Sequence, residues 1–160
     1  VIDDAMEMMK PAFDKRNIIV LEEVQPELPR IQNDPNKLVQ IFMNLFKNSI
    51  ESIDQCLRAP VEGYQGTVKV GVGTVGVDHL HIYVKDNGQG AEPESLKRAF
   101  EFGYSTKKRG SGFGLHDCAN FIRFHKGTVE LTSEGIGKGA TITFTLPITK
   151  SKNEKDEQEA

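Results

Sequence analysis

Apolar residues recur along this chain with two different periods, and these periods divide it into helices and strands. A 3.6-residue spacing predicts three main helices, over Val1–Arg16, from Asp34 to just before Pro60, and over Phe113–Phe124. The middle helix has the strongest signal, because Asp34 is a good N-cap and Pro35 stands at the first helical position. Its apolar arc consists of Leu38, Phe42, Leu45, Phe46, Ser49, Ile50, Ile53 and Leu57.

Short runs of alternating or β-branched residues lie between these helices and predict strands. They are Ile18–Leu21, Thr67–Val72, His79–Val84, Thr128–Thr132 and Ala140–Leu146. One further short helix is expected over Pro93–Phe102. Helices and strands are interleaved, and tight turns join the late strands. The pattern therefore favours an α+β two-layer sandwich, a mixed sheet of about five strands with three main helices packed on one face.

The last main helix is predicted to bury one side against that sheet and to end at Gly127, a plausible C-cap. Its apolar spacing is carried by Leu115, Cys118, Ala119, Ile122 and Phe124. Residues 1–149 form one predicted domain. Residues 150–160 are almost wholly polar and are predicted to be a disordered tail.

Composition narrows the classes of function. The chain has 160 residues, 38% of them apolar, and a net charge of −3 from 20 basic and 23 acidic side chains. No concentrated basic face points to a nucleic acid, and no apolar run reaches the ~20 residues that cross a bilayer. Cys56 and Cys118 lack metal-site spacing and fall in apolar helical patterns. We expect them to be reduced core residues of a cytoplasmic domain without direct membrane contact, although it could be the cytosolic part of a membrane-anchored sensor.

Asn44 and Asn48 lie four residues apart on the middle helix and project from the face opposite its apolar arc. Carboxamide oxygens one turn apart suit a hard cation such as Mg²⁺, which takes its other ligands from water and substrate phosphates. The alternative is a solvated polar face, which is the default for an amphipathic helix. These two residues alone do not decide between the interpretations.

The segment Asp86–Gly90, with sequence Asp-Asn-Gly-Gln-Gly, directly follows a strand. A carboxylate at a strand end can accept a hydrogen bond from an exocyclic amine, and glycines let the backbone approach a flat ring. The alternative is an ordinary Asp-Asn-Gly turn, because these residues tolerate left-handed backbone conformations.

Gly110–Leu115, with sequence Gly-Ser-Gly-Phe-Gly-Leu, opens the last main helix. Backbone N–H groups and the positive end of a helix can bind phosphates, and Lys107–Arg109 add positive charge. The pattern disfavours a Rossmann fingerprint, because no strand runs into the segment and its third glycine is misplaced. A Walker loop is excluded because no Gly-Lys-Ser/Thr ends it.

Taken together and in this order, these segments resemble the motifs of the GHKL superfamily. That superfamily groups gyrase, the ninety-kilodalton heat-shock chaperones, histidine kinases and MutL. Asn44–Ser49 resembles its N box, Asp86–Gly90 the first glycine box and Gly110–Leu115 the second. Phe100–Lys107 is similar to the F box of histidine kinases, and Gly137–Thr141 to the C-terminal end of their catalytic domain. The resemblance covers the chain to about Pro147.

The resemblance implies the superfamily's Bergerat fold, ATP and Mg²⁺ as cofactors, and a role for each matching residue. Asn48 would bind Mg²⁺, and Asn44 would support the metal and the phosphates. Asp86 would bind the adenine amino group, with Gly88 and Gly90 beside the ring.

The same resemblance implies a phosphate side and a short lid. Thr106 and Lys107 would belong to the lid, with Lys107 and Asn44 acting in catalysis. The residues implied to bind the phosphates are Gly110, Ser111, Gly112, Phe113, Gly114 and Leu115.

One position separates the chemistries of the superfamily. The hydrolysing members have a Glu one turn before the metal-binding Asn, whereas this chain has Asn44, and an amide cannot act as a general base. The resemblance therefore implies a histidine kinase catalytic domain, whose partners would be dimerisation and phosphoacceptor helices and a response regulator receiver domain. An anti-sigma-type serine/threonine kinase and a non-catalytic nucleotide-binding interaction module remain alternatives.

Two further features refine the resemblance. Glu51 and Ser52 stand where many histidine kinases have Lys and an aromatic residue, which is similar to the nitrogen-regulation subgroup with its short lid. Ala91 and Ala140 also depart from the usual residues at their positions. None of the histidines lies in the helical-hairpin context of a phosphoacceptor, so surface or packing roles are expected for His79, His81, His116 and His125.

Overall fold

The computed structural model describes residues 1–31, 33–59, 61–101 and 113–148, and for Phe113 only its backbone. Its helices are α1 (Ile2–Lys15), α2 (Pro35–Arg58), α3 (Pro93–Arg98) and α4 (Phe113–Phe124). Its strands are β1 (Ile19–Val24), β2 (Thr67–Val75), β3 (His79–Asp86), β4 (Thr128–Thr132) and β5 (Ala140–Pro147).

The five strands form one mixed sheet in the order β1-β2-β3-β5-β4. β1 runs parallel to β2, and the other neighbouring pairs are antiparallel. Buried residues of α1, α2 and α4 pack with those of β2, β3 and β5 in one core. The predicted α+β two-layer sandwich, with its three main helices on one face of the sheet, is confirmed.

Helix α2 begins where the sequence predicts it and forms the centre of the helical layer. The Asp34 carboxylate accepts a hydrogen bond from the Asn36 backbone N–H at 2.9 Å, which satisfies one of the free donors of the first turn. Phe46 meets Phe13 of α1 edge to face, with ring centroids 5.7 Å apart, and Phe42 lies 6.1 Å from Phe144 of β5. Helix α2 therefore joins α1 to the sheet.

Two predictions about helix α4 are wrong. Phe124 is 82% exposed, because it lies two residues after the buried Ile122 and so points about 200° away around the helix. The left-handed residue that ends α4 is Lys126, with φ 62°, and Gly127 follows it. Gly127 donates its N–H to the Ile122 carbonyl, and a Cβ there would clash with the Thr145 carbonyl oxygen, so close packing explains the glycine.

The remaining differences are small. β1 starts one residue after the predicted Ile18 and extends to Val24, and α3 ends at Arg98. Cys118 is buried as predicted, but Cys56 is only half-buried.

None of the helices in the described ranges combines the length and apolar character needed to span a bilayer.

Candidate functional site

Three half-buried polar residues follow one another at four-residue intervals along α2: Asn44, Asn48 and Ser52. Their spacing places them one above the other on one side of the helix, with about 12 Å of helix axis between the first and the last. The candidate site is built along this row. Its Asn44 end lies beside Gly114, and its Ser52 end contacts Gly88.

The Asn44 end of the row faces the first turn of α4. Its Nδ2 donates to the Cys118 sulfur at 3.8 Å. A Cβ placed on Gly114 would lie 3.8 Å from Asn44 Cβ and Cγ, so the backbone of Gly114 lies beside this amide. Asn44 therefore lies against the predicted phosphate-binding helix end.

The Ser52 end of the row contacts the first glycine segment. Ser52 Oγ accepts the N–H of Gln89 at 2.9 Å. A Cβ on Gly88 would lie 2.7 Å from the Ser52 carbonyl carbon, closer than real Cβ contacts. The contact leaves no room for a side chain on Gly88, so the glycine is needed where this segment meets Ser52. Asn48 lies between the two glycine segments.

Asp86 ends β3 beside this contact and is 9% exposed. It pairs with Val68 on one side and Ala140 on the other, so it lies inside the sheet rather than at an edge. Its Oδ1 accepts the Gly88 N–H at 2.9 Å. An ionised carboxylate has about four acceptor positions, so this bond is compatible with a further one from a ligand.

The loop between β4 and β5 supports the first glycine segment from the other side. Gly139 donates its N–H to the Gly88 carbonyl at 3.1 Å, and Ser133 Oγ accepts the Ala91 N–H at 3.1 Å. Gly90 has φ 70°, and a Cβ there would lie 2.9 Å from Ser133 Oγ. Gly88 and Gly90 are thus required for packing, and their predicted place beside a ring stays a prediction.

The phosphate side of the predicted site is described only in part. Gly114 lies beside Asn44, whereas Leu115 is half-buried against the hydrophobic core. The predicted site residues that lie outside the described ranges are Thr106, Lys107, Gly110, Ser111 and Gly112, and the side chain of Phe113 lies outside them too.

The side chains at the candidate site that could bind a metal are amides rather than a cluster of ionisable groups. Within the described ranges no group of three or more His, Cys, Asp or Glu side chains could hold a metal ion. Asn44 and Asn48 are half-buried carboxamides one turn apart. This donor set fits Mg²⁺ only when substrate phosphates and water complete its coordination.

The histidines have packing or surface contacts. His79 and His81 alternate with the buried Leu80 and Ile82, which confirms that they lie on the outer face of β3. His116 Nδ1 lies 3.0 Å from the Phe100 carbonyl oxygen, and the His125 ring stacks on Phe121 at 4.4 Å.

Four contributors to the site were not predicted: Tyr64, Ser133, Gly139 and Cys118 as a partner of Asn44. Tyr64 contacts Asn87, and Ser133 contacts Ala91. Gly139 contacts Gly88, and Cys118 contacts Asn44. In each pair the two residues are distant in sequence. Only Gly139 carried a signal, as part of the segment that resembles the end of a histidine kinase catalytic domain.

Gly88→Ala should destabilise the protein by about 1–3 kcal/mol, because the added methyl group must displace Ser52 or the chain itself. Gly73→Ala is the matched control, since its Cβ would meet only the end of the Gln25 side chain, at 3.2 Å. Urea unfolding should show a loss for the first variant and a change under about 1 kcal/mol for the second. Equal stabilities would contradict the packing at Ser52.

The two thiols should differ in reactivity. Burial raises the pKa of Cys118 to about 11, whereas Cys56 is half-buried. Because the thiolate is the reactive form, iodoacetamide at pH 8 should label Cys56 in the native protein and spare Cys118, and urea should expose both. Peptide mass spectrometry measures this, and rapid native labelling of Cys118 would place Asn44 in a different environment.

Comparison with known proteins assigns this architecture to a family. The family model described as histidine kinase-, DNA gyrase B-, and HSP90-like ATPase matches residues 33–150. The sensor histidine kinase ZraS of Klebsiella oxytoca is 34% identical over 158 residues, covering 99% of this chain and 32% of that protein. Sporulation kinase E of Bacillus subtilis strain 168 is 30% identical over 159 residues, covering 99% of this chain and 20% of that protein. The chain thus spans about a third of the first relative and a fifth of the second.

Solved structures share the fold. The catalytic domain of histidine kinase ThkA, in a nucleotide-free form, superposes with a TM-score of 0.77 at 23% identity, covering 93% of this chain and 92% of that one. Full-length ShkA in complex with AMPPNP gives a TM-score of 0.77 at 24% identity, covering 93% of this chain and 29% of that one.

Proposed function

Because this chain belongs to the histidine kinase-, DNA gyrase B- and HSP90-like ATPase family, we propose that it transfers the γ-phosphate of Mg-ATP to a histidine on a separate phosphoacceptor domain. It is an ATP-binding catalytic domain of the sensor histidine kinase type. We propose that the phosphate acceptor is a histidine and that the metal is Mg²⁺, and we propose the role of each site residue.

ATP would lie along the row Asn44, Asn48 and Ser52. At the Ser52 end, the Asp86 carboxylate would accept a hydrogen bond from the adenine amino group, supported by the burial of Asp86 inside the sheet. The polyphosphate would extend toward Asn44 and the N-terminal end of α4, where backbone N–H groups and the helix dipole favour negative charge.

Asn48 would hold Mg²⁺ through its carboxamide oxygen, with Asn44 one turn away in support. The bound ion would supply neutralisation of the charge on the phosphates. Phosphoryl transfer depends mainly on positioning and charge neutralisation, so a site that lacks a protein nucleophile is sufficient when the acceptor brings its own lone pair.

The observation that carries the proposal is the amide at Asn44. It is half-buried beside Gly114 and hydrogen-bonded to the Cys118 sulfur, at the position where hydrolysing relatives carry a Glu. An amide cannot take a proton from water, whereas an imidazole nitrogen can attack without that help. In the transfer a histidine N–P bond forms, the bond between the γ-phosphorus and its bridging oxygen breaks, and ADP leaves.

The wider setting follows from this chemistry. We place the domain in the cytoplasm, where ATP is available, and expect dimerisation and phosphoacceptor helices as its first partner and a response regulator receiver domain as its second. ThkA has been solved in complex with the response regulator protein TrrA, and the fold is shared at a TM-score of 0.73. Serine/threonine phosphorylation is the competing chemistry on the same fold.

Phosphorylation assays test the proposal. Alone with γ-labelled ATP, the chain should take up no stable phosphate, because none of its histidines lies in the helical-hairpin context of a phosphoacceptor. Helical hairpins that carry a His-Glu phosphoacceptor, taken from sensor kinases similar to this chain, should gain acid-labile label. The same hairpins with His→Ser should gain none. Acid-stable label on serine would favour the serine/threonine kinase, and ATP binding without any transfer would favour an interaction module.

A further inference from the structure

Asn87, the residue after Asp86, is hydrogen-bonded to the first residue of β2 and to the loop before it. Its Oδ1 accepts the Thr67 N–H at 2.7 Å, and its Nδ2 donates to the Gln65 carbonyl at 2.7 Å. Its own N–H donates to the Thr67 carbonyl at 3.3 Å. These bonds therefore join the start of β2 and the loop before it to the residue next to Asp86, the carboxylate that we assign to adenine.

The peptide group between Asn87 and Gly88 is held on both sides. Its carbonyl oxygen accepts the Tyr64 hydroxyl at 3.1 Å, and its N–H donates to Asp86 Oδ1 at 2.9 Å. A peptide group is planar, and in the trans form its C=O and N–H point in opposite directions. A rotation that breaks the bond to Tyr64 therefore also breaks the bond to Asp86.

Tyr64 is suited to hold this peptide. Its hydroxyl also lies 3.4 Å from Asn87 Oδ1, so both oxygens of Asn87 are within its reach. Burial, followed by the neighbouring Cys56 and Asp86, raises the pKa of Tyr64 above its ordinary value. The phenol keeps its proton at neutral pH and remains a donor.

We infer that Tyr64 is a positioning residue for adenine recognition: its hydroxyl holds the Asn87–Gly88 peptide, and that peptide holds the Asp86 carboxylate in place. Tyr64 acts through Asp86 rather than by touching the nucleotide. This inference rests on the proposed function, since it takes Asp86 as the residue that meets the adenine amino group.

Tyr64→Phe removes the hydroxyl and keeps the ring. Its affinity for Mg-ATP should fall about 3- to 10-fold, the range expected for one neutral hydrogen bond. Its affinity for purine riboside triphosphate, which lacks the 6-amino group, should change less than about twofold, because Asp86 has no amine to bind there. Calorimetry with both nucleotides gives the two ratios.

Tyr83→Phe is the matched control. It removes the hydroxyl of another half-buried tyrosine, which lies in β3 and donates to Glu23 at 2.5 Å on the sheet face away from the helices. It should leave both affinities unchanged.

Three results would overturn the inference. They are an unchanged ATP affinity in Tyr64→Phe, an equal loss for both nucleotides, which indicates a general structural role, and the same loss in Tyr83→Phe. Failure of the unmodified chain to bind ATP would instead overturn the proposed function and the inference with it.

Discussion

Asp86→Asn should weaken Mg-ATP binding about 10- to 100-fold, the value of a hydrogen bond to a charged group. The substitution keeps the size of the side chain, and the amide oxygen can still accept the Gly88 N–H that Asp86 Oδ1 accepts at 2.9 Å. The new amide N–H₂ group is a donor, however, and it would face the donor amine of adenine. Calorimetric titration of the purified domain with Mg-ATP and Mg-ADP measures the change.

Asp78→Asn provides the control for this measurement. Asp78 lies next to the opposite end of β3, is exposed, and contacts His79 at 2.9 Å. The same loss of one negative charge there should leave nucleotide affinity unchanged. Equal affinities for Asp86→Asn and the unmodified chain would show that adenine binds elsewhere.

Asn44→Glu should raise ATP hydrolysis at least tenfold, because a well-positioned general base contributes ~10²–10⁴-fold and even an imperfectly placed one should give a measurable part of that. It places a carboxylate where hydrolysing relatives carry theirs, beside Gly114 and the start of α4. Phosphotransfer to a supplied histidine hairpin should fall in the same variant, because water then competes for the γ-phosphate. Steady-state release of inorganic phosphate and acid-labile labelling measure the two rates.

Glu51 is the native carboxylate to exclude as a base. It is exposed and lies seven residues after Asn44, about 10 Å further along the helix axis. Glu51→Gln should therefore leave hydrolysis at its low native rate. Brisk hydrolysis by the unmodified domain that Glu51→Gln abolishes would identify Glu51 as the base, and the choice of kinase over ATPase would be wrong.

The helices were the most predictable part of the fold, because each main helix carries its own apolar period and α2 also has local capping residues. Asp34 and Pro35 placed the start of α2 without any tertiary information. Phe124 is apolar but exposed, because its angle around α4 places it opposite the buried Ile122. An apolar residue is therefore predicted to be buried only when its angle around the helix also fits. The parallel pairing of β1 with β2 had no sequence signal, because it depends on which edge the chain reaches after α2.

The motifs of the site were predictable, and the contacts that hold them were not. The types and spacing of Asn44, Asn48 and Asp86 predict a cation, phosphates and an amine as their ligands, because side-chain type sets the groups that each can bind, and these roles stay predictions. Tyr64 and Ser133 lie in loops and contact Asn87 and Ala91 through side-chain hydrogen bonds. Such contacts have no period and become visible only when the chain is folded.

If the γ-phosphate goes to histidine rather than to water, its partition between the two in one reaction will show it. The unmodified domain is mixed with γ-labelled Mg-ATP and an excess of a His-Glu hairpin that it recognises, and acid-labile phosphohistidine and free phosphate are measured over one turnover. We predict that most of the transferred label is on the histidine. Label released mainly as inorganic phosphate, or bound in acid-stable form, would contradict transfer to histidine.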